Sequence, residues 1–494
     1  ESVTILKDAA STAIYGAKAA NGVVVIETKR PTRGKLRVSY NGSADISFPD
    51  LNDYNLMNAK EKLEFEFKAG GFKSNLSTVE EDRMSRYYFL EQEIMRGVDT
   101  YWLAEPLRTG INQRNNIYVE GGDQDMRYGV GVNNNRIQGV MKNSLRNIFG
   151  GSIDLMYRRG KISFVNKFSM DHNNSRNPIV DFSDYARANP YYRKYNAKGG
   201  VDKWLEMSKD SQSQNVPNPL WDDALNSKNT GKTFGVRNNF NIEYKPTRFL
   251  TTRGRFGANK SISDTERFFS PDATRFDNVD ILKKGSYSSN QTESISYQGD
   301  ASITYGQYFR EMHLVNVVMG ASFNSSTSVM KGFEAVGFPE GDFTTPSFSN
   351  SYPEGSKPSY MDTKRRNVGF FMNSGYSLMN KYLVDFNLRS DGTSIFGSNK
   401  LFSTTWSVGL AWNLHEEKFI KNITENITLL KIRGSIGNPG NQSFGAFNAL
   451  TTYKFNNWLQ NNFGTGLYID QFGDPDLSWQ KTLDKNIGMD LSLM

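Results

Sequence analysis

The 494-residue sequence predicts an all-β fold, an antiparallel transmembrane β-barrel with about fourteen strands visible in this chain. Three observations carry that expectation. A long stretch alternates strictly between apolar and polar residues. The pattern recurs along most of the chain. The connections between the alternating stretches sort by length, short then long, without a break.

The clearest strand runs from 36 to 48. Leu36, Val38, Tyr40, Gly42, Ala44, Ile46 and Phe48 fall on one face, and Arg37, Ser39, Asn41, Ser43, Asp45 and Ser47 on the other. Period-two alternation of this length is a strand signal, long enough to cross a bilayer when tilted. The same pattern marks 295–305, 402–413 and 482–493. Softer versions lie at 111–120, 126–134, 145–157, 161–171, 233–244, 249–260, 312–323, 364–376, 381–390 and 428–437. Short connections are expected at 121–125, 158–160, 245–248, 306–311, 377–380 and 414–427. Long ones are expected at 49–110, 135–144, 172–232, 261–292, 324–363, 391–401 and 438–481. Tight turns at one rim and large loops at the other are the rhythm of an outer-membrane barrel. A soluble all-β sandwich has no reason to sort its connections in this way.

Composition agrees and excludes several classes. Aromatics make up 13% of the chain, which suits extended structure. Mean hydropathy is -0.59, and no apolar run approaches the ~18 residues of a membrane helix. That test is blind to strands, which show the bilayer only every second residue. There is no cysteine, hence no disulfide framework and no thiolate metal site. The net charge of +7 is spread without a Lys/Arg block, so nucleic acid is not an expected partner. His172, His313 and His415 are far apart, and no hydrolase, zincin or phosphate-loop motif is present. No catalytic residue, metal ligand or cofactor is therefore expected, and Glu416-Glu417 reads as a solvated charge pair in a short turn.

Residues 1–30 differ from the rest. Val3 to Leu6 reads as a short strand, Asp8 to Tyr15 as a helical turn capped by Asp8, and Val23 to Thr28 as a strand buried on both faces. The run LKDAASTAIYGAKAANGVVVIETK resembles the end of the plug domain of TonB-dependent outer-membrane receptors. Its Ala-Ala-Asn-Gly-Val-Val form resembles the SusC/RagA branch of the Bacteroidetes. VSYNGS at 38–43, RSDGTSIFG at 389–397, LAWNLHEEKF at 410–419, LKIRGSIGNPGNQ at 430–442 and DPDLSWQKTLDKNIGMD at 474–490 resemble further landmarks of that branch, in the same order.

The resemblance implies that residues 1–30 are the C-terminal end of a plug domain. It implies that 31–494 are the N-terminal portion of a barrel of about 22 strands, with extracellular loops near 49–110, 172–232, 261–292, 324–363 and 438–481. The rest of the plug, the TonB box and the last barrel strands are then expected outside this sequence. Localisation in the outer membrane and contact with its lipid follow. The implied role is active import of glycans or peptides, driven by the TonB-ExbB-ExbD complex and aided by a SusD-like lipoprotein. An iron-chelate (siderophore) receptor, a passive porin or adhesin barrel, and a soluble carbohydrate-binding β-protein stand as alternatives.

Cargo contact is expected from aromatic residues in the long loops, whose flat faces stack on sugar rings or anchor peptides. The candidates are Tyr101, Trp102, Tyr191, Tyr192, Trp204, Trp221 and Trp458, with Tyr195 and Tyr468 beside them. Trp406, Trp412 and Trp479 lie in or near strands and are expected in an interfacial belt. The charge-rich stretch within 53–107 is expected to form a solvated helix pair inserted after the first barrel strand.

Overall fold

The structure, a computed structural model, describes residues 2–6, 23–27, 31–208, 214–421, 427–438, 440–441, 447–461 and 464–493. Its body is one antiparallel sheet of fourteen strands. They are β1 (Gly34–Ser47), β2 (Gly110–Gly122), β3 (Met126–Gln138), β4 (Leu145–Arg159), β5 (Ile162–Arg176), β6 (Lys228–Tyr244) and β7 (Leu250–Phe269). The sheet continues with β8 (Ser286–Phe309), β9 (His313–Val336), β10 (Ser359–Leu378), β11 (Tyr382–Thr393), β12 (Phe402–Asn413), β13 (Ile427–Gly437) and β14 (Asp484–Leu493). Each pairs with its neighbours in chain order, and β1 and β14 form the two edges. All fourteen expected strands are present.

Pairing in register places alternate residues of every strand on one side. One outward row runs Val38, Val119, Val130, Ile153, Phe168 across β1 to β5. Another runs Ile303, Met319, Met372, Leu388, Trp406 across β8 to β12. Most of these apolar side chains are exposed on the isolated chain; Val38 keeps 62% of its surface and Ile303 53%. Apolar residues facing outward around a curved sheet make a lipid-facing band. The inner face is polar. Arg37 pairs with Glu120, Arg255 Nε donates to both Asp300 oxygens at 2.9 Å, and Arg389 holds Asp391 and the Ser322 hydroxyl.

At the short-turn rim the connections are two to five residues long, save the last. Two of them, at 309–312 and 378–381, carry positive φ at both central residues, Arg310 and Glu311, then Met379 and Asn380. That backbone twist matches the flanking strands. Aromatics gather here: Tyr157 on Phe164, His313 on Tyr376, Tyr382 on Trp412. Trp412 thus sits as the belt expectation has it. Glu417 departs from the solvated pair expected of it. It accepts from Lys381 Nζ at 2.8 Å, the Tyr382 hydroxyl at 2.9 Å and Trp412 Nε1 at 3.2 Å, so it fastens the turn to the belt.

Two further expectations are corrected. Trp479 is not a belt residue: it is buried against Ile395 and Phe396 in the loops. There the close approach of Gly397 to the Pro475 carbonyl leaves no room for a Cβ. Near the N-terminus, Ser2–Leu6 and Val23–Glu27 pair as a two-stranded sheet. Val24 and Ile26 are exposed, so that strand is not buried on both faces. The expected helical turn at 8–15 lies outside the described residues.

Candidate functional site

The long-loop rim carries the features of a binding site. The loop after β1 folds into two helices, α1 (Ala59–Lys68) and α2 (Ser77–Met95), as its sequence predicts. Asn58 and Glu61 cap α1 reciprocally: the Asn58 side chain accepts from the Glu61 amide at 2.9 Å, and the Glu61 carboxylate accepts from the Asn58 amide at 3.0 Å. The loop between β5 and β6 adds α3 (Phe182–Arg187), α4 (Pro219–Ala224) and a small strand pair, Trp204–Glu206 with Val216–Pro217.

These two loops share a core of their own. Leu63, Phe72, Leu90, Trp102, Val180, Tyr185, Tyr191 and Tyr192 are buried together. Three of these rings use their polar ends. Trp102 Nε1 donates to the Asn189 carbonyl at 3.0 Å, the Tyr191 hydroxyl donates to Glu66 at 2.8 Å, and the Tyr192 hydroxyl donates to Glu206 at 2.5 Å. Burial raises the Tyr185, Tyr191 and Tyr192 phenols well above their ordinary range, so all three stay neutral donors. Burial works against the Arg86 guanidinium, and Glu206 more than offsets it. Glu93, also buried, is tied to Arg193 and Arg96.

The expected cargo aromatics therefore divide. Trp102, Tyr191 and Tyr192 have their rings packed inside the loop core and present no free face. Tyr101 is exposed, and Trp204 and Trp221 are half-buried. Trp221 spends its N–H on the Asp272 carbonyl at 3.2 Å. Trp458 lies in the strand Thr452–Asn461, with its side chain outside the described residues. Sequence reasoning did not single out Glu93, Glu206 or the arginines that follow.

A cleft of about 730 Å³ opens between the β5–β6 loop and the β7–β8 loop. Trp204, Asn215, Phe269, Arg267 and Arg275 are among the residues lining it. Its walls are joined by Asp222, which accepts from the Thr274 amide at 2.9 Å and hydroxyl at 2.5 Å, and by Lys203 with Asp277 at 3.2 Å. Burial raises the Asp222 pKa against those two hydrogen bonds. Among the described residues no cluster of His, Asp and Glu could hold a metal ion. What the rim offers is aromatic faces, amides and charges around open space, which suits binding rather than bond making.

Residues 165–493, about two thirds of the chain, match the family described as TonB dependent receptor-like, beta-barrel. The chain belongs to that family. It is similar over its whole length to the TonB-dependent receptor P26 of Formosa agariphila, at 26% identity, and covers 48% of that protein. It is likewise 26% identical to the TonB-dependent receptor SusC of Bacteroides thetaiotaomicron, covering 49% of it. The chain thus spans about half the length of the curated relatives it matches. The fold agrees throughout with the structure of the RagAB peptide transporter, at a TM-score of 0.81 and 22% identity, covering 57% of that chain. These findings carry the SusC/RagA-like resemblance, the partial antiparallel barrel and the outer-membrane location. They also set the chain in a family of receptors rather than enzymes. In this family the long-loop rim is extracellular and the short turns are periplasmic.

Proposed function

We propose that this chain is part of an outer-membrane importer of glycans or peptides that works with a SusD-like lipoprotein and draws energy from the TonB-ExbB-ExbD complex. The observation that supports it most is the likeness to SusC along the full chain, joined to the fold shared with RagAB. RagAB is described as a peptide transporter, and SusC as a TonB-dependent receptor. Residues 1–30 serve in this reading as the end of the plug, and the barrel begins after them. Tyr101, Trp204 and Trp221, with Tyr195 and Tyr468 beside them, are candidate loop aromatics that keep surface to meet cargo. Trp102, Tyr191 and Tyr192 serve by holding the loops that carry them.

The test is uptake by the native host. Deleting the gene should abolish uptake of the polymer or peptide mixture that induces it. Deleting only a TonB-contacting segment of the full-length protein should do the same. Undiminished uptake in both strains would overturn the reading. Loss of ferric-chelate uptake alone would move the protein to the iron-chelate receptors.

A further inference from the structure

The geometry points to an anion-reading subsite in the cleft between the β5–β6 and β7–β8 loops: Arg267 and Arg275 take the carboxylate or sulfate of an acidic glycan unit whose ring lies along Trp204. The inference rests on the import reading above and narrows its cargo to acidic glycans.

The charge balance of the lining carries it. The lining carboxylates Asp181, Asp184, Asp222 and Asp277 all have partners within the protein: the Asp184 amide for Asp181, Arg187 for Asp184, the Thr274 amide and hydroxyl for Asp222, on which the Arg275 charge also acts from farther off, and Lys203 for Asp277. Arg267 and Arg275 differ. Among the described residues neither joins an ion pair with a carboxylate. Both guanidinium groups lie over the ring of Phe269, at 4.5 and 4.1 Å from its centre. A guanidinium stacked on a ring is held in place, yet its N–H donors lie in its own plane and stay free. Each such group keeps its own planar pair of donors for an oxyanion in the cleft.

The rest of the lining suits a sugar. Trp204 gives a flat apolar face, and the amide of Asn215 stands beside it. An indole and planar amides are what a hydroxylated ring needs. A peptide would more naturally add to an open strand edge. Two of the strands bordering this cleft are only three and two residues long and pair with each other, and β7, which carries Arg267 and Phe269, is paired on both sides.

The full-length protein with its native lipoprotein partner, purified in detergent, is titrated with five probes. These are a galacturonate oligomer, a sulfated galactan oligomer, their uncharged counterparts, and tetraglutamate. At low salt at least one acidic oligosaccharide should bind about tenfold or more tighter than every neutral one and than tetraglutamate. R267Q/R275Q should erase that preference, and rising salt should weaken it in the wild type. Which acidic probe wins separates carboxylate from sulfate. Equal binding of acidic and neutral sugars, or a preference that survives in R267Q/R275Q, overturns the subsite. Tightest binding of tetraglutamate replaces the sugar with an acidic peptide. Heat-modifiable mobility on gels confirms that the variant barrel folds. Host uptake separates the two readings. If import itself is wrong, the deletion strain loses no uptake. If only the subsite is wrong, uptake depends on the gene but not on the two arginines.

Discussion

At the long-loop rim one carboxylate, Glu93, takes Arg96 from the turn after its own helix and Arg193 from the neighbouring loop. Burial works against its charge, and the two guanidinium groups outweigh that cost, holding its pKa below the ordinary 4.5. A folded pKa below the unfolded one means stability that is present at neutral pH. It is lost as pH falls through the acid range below about 4.5. Glu93→Gln should remove that contribution and cost the loop about 1.5–3 kcal/mol, the range for hydrogen bonds to charged groups. Hydrogen exchange should then quicken about tenfold or more in 190–206, with the barrel strands unchanged, and the difference from wild type should shrink at low pH. Unchanged exchange at neutral pH would remove Glu93 from this role. The sequence could not announce it. A Glu in a charge-rich helix looks solvated until a distant Arg is folded onto it. Trp102 and Tyr101 make the same point. They are adjacent and equally aromatic, yet one is buried and the other exposed, and only the packing of Tyr191 and Tyr192 from a loop some ninety residues on decides which.

At the scale of elements, the strands were legible wherever a bilayer forces a two-sided pattern. β1, β12 and β14 each have one wet face and one greasy face, so their sequences alternate. β7, β8 and β9 outrun that logic. β8 and β9 have 24 residues each, about 80 Å of strand, where a tilted crossing needs about 9–11 residues. The remainder stands beyond the lipid band, where loops cover part of it and Tyr287 is buried with Phe268, Ala335 and Phe338, and stretches such as SYSSNQTE at 286–293 carry no alternation to read. That is why 295–305 and 312–323 underestimate these strands. A pair of substitutions on one face of β9 tests the division. Met319 pairs with Ile303 and Met372 in the lipid band, whereas Val329 lies ten residues farther from the short turn on the same strand and face, paired with Glu293 and Asp362. Met319→Lys should cost about 2–4 kcal/mol near the bilayer centre, and less toward either interface. Val329→Lys should cost close to nothing. Urea-driven unfolding in lipid vesicles reads both. Equal costs would place the whole of β9 either in the membrane or out of it.

For the molecule as a whole, the decisive property is that its sheet has ends. Fourteen strands pair in sequence, yet β1 and β14 each have one side without a strand partner in the described sheet. In water such an edge is a liability. In hydrocarbon it is worse, because each backbone N–H and C=O without a partner costs several kcal/mol and no water is present to take it. The lipid-facing residues of the edge strands show the same incompleteness: Ile487 in β14 keeps 92% of its surface. Relatives about twice as long have further chain with which to satisfy those edges. Refolded alone into lipid vesicles, this chain should therefore fail to give a heat-modifiable, protease-resistant barrel and should release no trapped oligosaccharide. A full-length protein under the same conditions should fold and keep its vesicles sealed. Both edges must be joined for the sheet to close, so pairing only one of them should leave the fragment as labile as before. Protease resistance of the lone chain equal to that of the full-length protein would mean that β1 and β14 find each other. The wall would then close with fourteen strands.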